Sequence, residues 1–317
     1  MKVVITSIGK RVGLIKHLKK SFTVIGVDAT EENVGKEFVD IFYKIPLCNS
    51  ADYIDVLKNI CVNENVKGLI PLYEGEFEIL DRYRNEFKNI GTELILSDEE
   101  ILKICKDKEK TYLWTVNENI LSPKVYIDAE IEKIITYGDE EKLPLIIKPR
   151  DGMGSSNVFI ANTIKELEFF KEYVKDSIVQ QYIKGNEYTV DTLMDFQGNP
   201  IYIVPRKRDE VRSGEVSKST VVIDHEIINL NRKVIESLNK QGRVIGPYTI
   251  QFIRSECGKL YLLEINPRFG GGVPLAFESG ADYGNAMKKM LNGEAVEYTL
   301  NLNEVRMLRY DEAIYIL

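Results

Sequence analysis

The sequence predicts a mixed architecture, an α/β amino-terminal domain on a parallel sheet followed by an antiparallel α+β region. Three observations carry this. Apolar strands and amphipathic helices alternate over residues 1–97. Ser97 followed by "DEE" resembles a helix N-cap with an acidic first turn and opens a new helical unit. From about residue 123 the chain turns β-rich, with short turns between apolar runs. At 317 residues it exceeds one ordinary core and suggests two or three packed units.

In chain order, "KVVITSIG" is an apolar strand and "RVGLIKHLKK" a helix with Val12, Leu14, Ile15 and Leu18 on one face. "FTVIGVD" is the next strand, "YIDVLKNICV" a helix, "VKGLIPLY" a strand, "GEFEILDRYRNEF" a helix and "TELILS" a strand. Strands separated by helices of this length imply right-handed crossovers and a parallel sheet. "DEEILKICKDKEKTYLWTVNEN" begins the second unit. The β-rich stretches are "SPKVYI", "LPLIIKPR", "NVFIA", "SIVQQYI", "EYTVDTLMD", "NPIYIVPRKR", "KSTVVI", "GPYTIQFIRS" and "KLYLLEINPR". Two helices interrupt them, near 163–175 and 226–241, and a last helix, "YGNAMKKMLNG", precedes a final strand.

Composition narrows the function. Hydrophobic residues make up 44% and charged residues 29%, the profile of a folded soluble chain. No run has the length and apolarity of a membrane helix and the start lacks a signal-peptide core, so the expected location is cytoplasmic, with no membrane partner. A net charge of −7 argues against broad nucleic-acid binding. Cys48, Cys61, Cys105 and Cys257 are scattered and only two histidines exist, which disfavours a zinc site or a disulfide framework.

The chemistry concentrates in a few stretches. In "LYLLEINPRFGGG", Glu264, Asn266 and Arg268 alternate with apolar residues. "YTIQFIRSECGKLYLLEIN" reads as a β-hairpin; with its loop centred between Cys257 and Gly258, Gln251 lies opposite Glu264. The strand period of two then puts Gln251, Glu264 and Asn266 on one face. Such oxygens suit Mg²⁺, and Arg268 is placed to reach a phosphate or carboxylate. A lone E-x-N would read as a solvent-facing edge strand; Arg268, Gln251 and the bare backbone of Gly270, Gly271 and Gly272 favour a ligand site.

A second stretch, "PLIIKPRDGMGSSNVFIA", places Lys148 at a strand end before a loop with Gly152, Gly154, Ser155 and Ser156. Strand lysine and loop N–H groups suit phosphates, although the stretch alone also reads as an ordinary hairpin and is not a Walker A loop. A third, "IVQQYIKGNEYTVD", alone reads as a structural hairpin with Gln180, Gln181, Tyr182 and Ile183 at its mouth and Glu187 beyond. Arg206, Arg208 and Arg212 form a basic run that reads as a solvated loop or as an anion-binding arm. "SIGKRVG" lacks the third glycine of a dinucleotide fingerprint, since Arg11 stands there.

Taken in order, "ICKDKEKTY", "PLIIKPRDGMGSSNVFI", "VQQYIKGNEYTVD", "GPYTIQFI" and "LEINPRFGGG" resemble the ATP-grasp superfamily, most closely its carbamoyl-phosphate-synthase-like members. The resemblance implies an ATP-grasp fold with a Rossmann-like pre-ATP-grasp domain over 1–97, a central region with a lid subdomain over 98–180 and a carboxy-terminal antiparallel subdomain over 181–317. It implies ATP and Mg²⁺, or Mn²⁺, as cofactors. Lys108 and Lys148 would contact phosphates, Gln180 to Ile183 the adenine and Glu187 the ribose. Gln251, Glu264 and Asn266 would hold the metal, and Arg268, with Lys148, would serve catalysis. Position 181 departs from many relatives, which carry Glu there.

The family's chemistry is carboxylate–amine ligation: phosphoryl transfer from ATP makes an acyl phosphate, which an amine attacks. That needs positioning and charge neutralisation rather than a protein nucleophile, which suits a histidine-poor chain. Small carboxylate and amine substrates, an amino acid among them, are the expected partners, and a homodimer is carried over from relatives. Two other readings keep the fold: a non-catalytic nucleotide-binding protein, and a phosphotransferase that releases its phosphorylated product.

Overall fold

The computed structural model describes residues 1–152, 157–212 and 214–316. The amino-terminal sheet is parallel and holds β1 (Lys2–Thr6), β2 (Thr23–Asp28), β3 (Ile41–Lys44), β4 (Val66–Ile70) and β5 (Glu93–Leu94) in the order β3-β2-β1-β4-β5. Val3, Val4 and Ile5 of β1 are fully buried, as expected of a central parallel strand covered on both faces. Helices Val12–Leu18 and Tyr53–Asn63 are among its crossovers. The edge strand β3 was not expected; it is only four residues long, partly buried over Ile41–Tyr43 and exposed at Lys44. The single helix expected after β4 is two short ones, Phe77–Arg82 and Arg84–Asn89. Arg84, at the break, donates to the carbonyls of Leu96 and Ser97.

The expected helical unit is likewise two helices, Glu99–Lys106 and Lys108–Asn117. Asp107 separates them: its Oδ1 caps the second through the N–H groups of Glu109 (2.9 Å) and Lys110 (3.2 Å). Its Oδ2 takes the Arg150 guanidinium at 2.7 and 2.9 Å, which ties the helix to the next sheet.

That sheet is antiparallel, with β6 (Val125–Tyr126), β7 (Leu145–Pro149), β8 (Phe159–Ala161) and β9 (Ser177–Gln181) in the order β6-β9-β7-β8. Helices Asp128–Tyr137 and Ile164–Tyr173 pack on it through Ile131, Ile134 and Leu167. The first of these was missed. Its signals are local: Glu130 accepts from the Ile127 N–H at its start, and Gly138 ends it with φ +63°.

The third sheet holds β10 (Gly185–Met194), β11 (Pro200–Arg212), β12 (Glu215–Val221), β13 (Gly246–Ser255), β14 (Leu260–Asn266) and β15 (Arg306–Leu308), in the order β14-β13-β10-β11-β12-β15. Helix His225–Leu238 covers one face, packing Ile227, Val234 and Ile235 near Val190, Ile250 and Phe252. The opposite face carries Thr189, Arg206, Gln251 and Glu264, which face each other by register. β9 and β10 belong to different sheets, so "QYIKGN" is a crossing between sheets and not the turn of a hairpin.

The β13–β14 loop is centred on Cys257, half a residue from expectation: Ser255 N–H donates to Lys259 O, and Gly258 takes φ +85°. The register from there pairs Phe252 with Leu262, and a bulge at Leu263 then restores Gln251 opposite Glu264. The expected pair is present because of the bulge, not because of the loop. One apolar core joins the amino-terminal sheet to the third sheet, with Ile5, Ile8 and Leu14 in the same cluster as Leu193, Phe269 and Met287. Among the described residues no helix is long and apolar enough to cross a membrane.

Candidate active site

Between the second and third sheets lies a cavity of about 240 Å³. Lys108, Lys148, Gly152, Gln180, Gln181, Tyr182, Ile183, Glu187, Gln251 and Glu264 all line it. Ile146 and Val158 face it from one sheet, Ile253 and Leu263 from the other. The bulge explains Leu263: strict alternation would turn it away from Glu264, whereas the extra residue lets both line one cavity. Gly154, Ser155 and Ser156 lie outside the described residues.

Lys148 stands near the end of β7, where removal from water pulls its pKa down to about 8; Glu264 opposes that shift and Lys108 adds to it. Lys108, at the first turn of its helix, donates from Nζ to the Gly152 carbonyl at 3.0 Å and so holds the start of the glycine loop. Gln180 is buried, with Nε2 donating to Pro123 O at 3.3 Å. Gln180 to Ile183, at the end of β9 and in the crossing to β10, line the cavity where the chain changes sheets.

A second cavity, of about 700 Å³, opens beside the first and shares Arg208, Gln251 and Glu264 with it. Its floor is the polar face of the third sheet. Arg206 is 2% exposed and donates from Nε to Asp191 Oδ2 at 2.7 Å; Arg208 Nε lies 3.1 Å from Glu187 Oε2. Arg268 Nε lies 2.9 Å from Glu74 Oε1, and its Nη2 donates to Asn266 Oδ1 at 3.2 Å. Burial raises the Glu74 pKa, Arg268 pulls it back and Glu264 adds to the rise. Arg212 does not join this group: its side chain is 73% exposed, 3.7 Å from Asp311, and it lines neither cavity.

The other wall comes from the carboxyl ends of the parallel strands, where open α/β sheets present their crevice. Ser7 follows β1, Asp28 ends β2, and Tyr73 and Glu76 follow β4. Glu74 and Glu76 escaped the sequence analysis. Their signal was available: two glutamates immediately beyond a central parallel strand.

The three glycines after Arg268 have a reason other than the expected approach of a ligand. A Cβ on Gly272 would stand 2.7 Å from Arg206 Cζ, and one on Gly270 would stand 2.7 Å from Thr249 Oγ1. The backbone is bare so that the site's own side chains can lie against it.

For a divalent cation the lining offers, among the described residues, one unpartnered carboxylate beside one amide side chain. Gln251 and Glu264 pair across β13 and β14, and among the described residues Glu264 has no hydrogen bond or ion pair. Nor do three His, Cys, Asp or Glu side chains converge anywhere among the described residues. A hard cation at Glu264 would thus complete its shell with amide oxygens, water and ligand oxygens, the usual pattern for Mg²⁺ on a phosphate.

A family model described as an ATP-grasp domain matches residues 105–272, just over half of the chain. The chain belongs to the ATP-grasp family. A second model, described as a PylC-like N-terminal domain, matches residues 3–95. The carbamoyl phosphate synthase large chain of Clostridium perfringens is 26% identical over 299 residues, covering 88% of this chain and 27% of the relative. That of Clostridium botulinum is 29% identical over 276 residues, covering 82% and 25%. This ATP-grasp chain therefore spans about a quarter of the length of these relatives. Among solved structures, the ADP complex of N5-carboxyaminoimidazole synthetase from Staphylococcus aureus has a TM-score of 0.76 at 16% identity, covering 98% of this chain and 82% of that one. The L-amino acid ligase from Bacillus licheniformis has a TM-score of 0.67 at 19% identity, covering 92% and 74%. At these identities the likeness is one of fold.

Proposed function

We propose that the protein is an ATP- and Mg²⁺-dependent ligase that joins a small carboxylate to an amine through an acyl phosphate. The observation that carries this reading is the sharing of Gln251 and Glu264 between the two cavities. A phosphate chain in the smaller cavity and a carboxylate in the larger would meet there.

In this reading Gln180 to Ile183 frame the base, with Ile146, Val158 and Leu263 as apolar walls. Glu187 has one carboxylate oxygen held by Arg208 and offers the other to the ribose. Lys108 and Lys148 neutralise phosphate charge, Gln251 and Glu264 hold the metal, and Asn266 joins them once Arg268 releases its amide oxygen. Mn²⁺ would satisfy the same oxygens. The bound cation supplies charge neutralisation across the phosphates.

The substrate carboxylate attacks the γ-phosphorus, the bond to the β-phosphate oxygen breaks, and ADP leaves. Arg268, held by Glu74, gives up Asn266 and steadies the transferred group. The amine then attacks the acyl carbon, phosphate departs, and the amine's proton passes to solvent.

The test is ADP release from Mg²⁺ATP against pooled amino acids and small carboxylates, with and without hydroxylamine. Hydroxamate formation supports the activated carboxylate. ADP without hydroxamate or amine dependence would favour a phosphotransferase. Nucleotide binding with no ADP against any pool would favour a non-catalytic protein.

A further inference from the structure

Glu76 is a carboxylate of the larger cavity that is 2% exposed and, among the described residues, has no cationic partner. Its oxygens accept hydrogen bonds from neutral hydroxyls, Tyr53 Oη at 2.7 Å and Ser7 Oγ. Asp28 lies close by, its oxygens accepting from the backbone N–H of Gly9 (3.1 Å) and of Thr30 (3.2 Å), and it too has no ion pair among the described residues. Burial raises the Glu76 pKa; the hydroxyl hydrogen bonds pull against that and Asp28 adds to it. Buried carboxylates are normally paired with a cation; Lys10 and Arg11 line the same cavity, but among the described residues neither pairs with Glu76.

An independent observation stands on the opposite wall. Arg206 is equally buried, its Nε is taken by Asp191, and its Nη1 has no hydrogen-bond partner among the described residues. It lines the same cavity, and its buried Nη1 packs against Gly272, where a Cβ would stand 2.8 Å away. One cavity thus has an unmatched buried anion on one wall and an unspent buried donor on the other. Its volume of about 700 Å³ leaves room for a ligand that spans both.

We propose that the larger cavity takes an amino carboxylate, its ammonium group on Glu76 and Asp28 and its carboxylate on the Arg206 side. This deepens the ligase reading and rests on it for the fate of the carboxylate. Each acid oxygen that accepts from a hydroxyl keeps a second lone pair for an ammonium donor. A carboxylate without an amine is rejected, because it leaves Glu76 unmatched and adds negative charge beside two acids.

The experiment uses the full chain with Mg²⁺ADP and two probes: a pool of L-amino acids, and a pool of their deaminated carboxylates, such as propanoate for alanine and hexanoate for lysine. Thermal unfolding finds the stabilising members, and calorimetry measures their affinity. The amino-acid pool raises the unfolding midpoint and the deaminated pool does not. Glu76→Gln weakens the stabilising amino acid about 30-fold or more, the cost of unpairing one buried charge, while the midpoint shift caused by Mg²⁺ADP alone persists. If Glu76→Gln does not fold, Asp28→Asn, at a half-buried position, carries the test with a smaller loss in the same direction. Equal stabilisation by the two pools, no stabilisation by either, or a wild-type response in the variant that folds overturns the proposal. ADP formation from Mg²⁺ATP, assayed separately with the same pools and variants, separates the two readings. Glu76-dependent binding without ADP sinks the ligase and leaves the ammonium site. ADP formed from ATP in the presence of deaminated carboxylates, undiminished by Glu76→Gln, does the reverse.

Discussion

The two cavities treat charge in opposite ways. In the smaller one the lysines stand unpaired: among the described residues neither Lys108 nor Lys148 has an ion pair, and Lys108 spends its ammonium on backbone carbonyls. In the larger one Arg206 lies on Asp191 and Arg268 on Glu74, while Arg208, shared by both cavities, lies on Glu187 of the smaller. Unpaired cations suit a polyanion, whose charge they are free to neutralise. Paired arginines are fixed in place before a ligand of low charge arrives, and fixed donors are what stabilise a developing charge most cheaply. Apolar walls occur in both, Ile146, Val158, Ile253 and Leu263 in the smaller cavity and Ile45, Leu47, Leu72 and Val216 in the larger, so the contrast is one of charge pairing.

The sharpest way to break this contrast is the residue both cavities share. Glu264→Ala should lower ADP formation about a thousandfold with an unchanged unfolding midpoint; a loss confined to the affinity for one substrate would mean that the cavities do not meet there. Next comes the pairing itself. Asp191→Ala leaves Arg206 buried without its partner and should cost about 3 kcal/mol in urea unfolding, and adding Arg206→Met should recover much of it. If Asp191→Ala is neutral, the arginines are not held in advance by their carboxylates.

Smaller effects should be confined to one cavity each. Gly272→Ala drives a methyl into the Arg206 guanidinium and should raise the KM of the second substrate about tenfold, leaving the KM for ATP unchanged. Equal change in both would deny the division of labour. Lys148 should make nucleotide affinity pH-dependent. Its pKa is about 8 in the free protein, and a bound phosphate favours the ammonium and raises it. Below pH 8 the lysine is already charged and affinity is flat. Above pH 8 binding must take up a proton, so affinity falls by up to about tenfold per unit until the pKa of the bound state is reached. Calorimetry of Mg²⁺ADP binding at pH 7 and 9, in buffers of different ionisation enthalpy, reads that proton. Lys148→Met should bind more weakly at pH 7 and show no such proton uptake.

Legibility in the sequence followed the same division. Lys148 was readable because a strand, a lysine and a glycine loop are contiguous. Gln251 and Glu264 were readable because a hairpin links them through one short loop, although the pairing depends on the Leu263 bulge. Helix Asp128–Tyr137 was not, although it is as long as the expected helix Ile164–Tyr173, and neither was strand β3, which has only four residues. Arg206, Arg208 and Arg212 looked alike in one basic run, yet only the first two line a cavity.

What the sequence determined by itself was local: where periodicity changes from helix to strand, which sheet is parallel and which antiparallel, and which polar residues interrupt apolar strands. Those patterns come from interactions within a few residues of each other. The tertiary structure alone decided which charges meet. Glu74 finds Arg268, and Glu76 and Arg206 come to face one cavity, across more than a hundred residues of chain. An ion pair leaves no period in the sequence of either partner. It depends on how the carboxyl ends of a parallel sheet are set against the polar face of an antiparallel one, and here a shared apolar core that holds Ile8 and Phe269 together sets it.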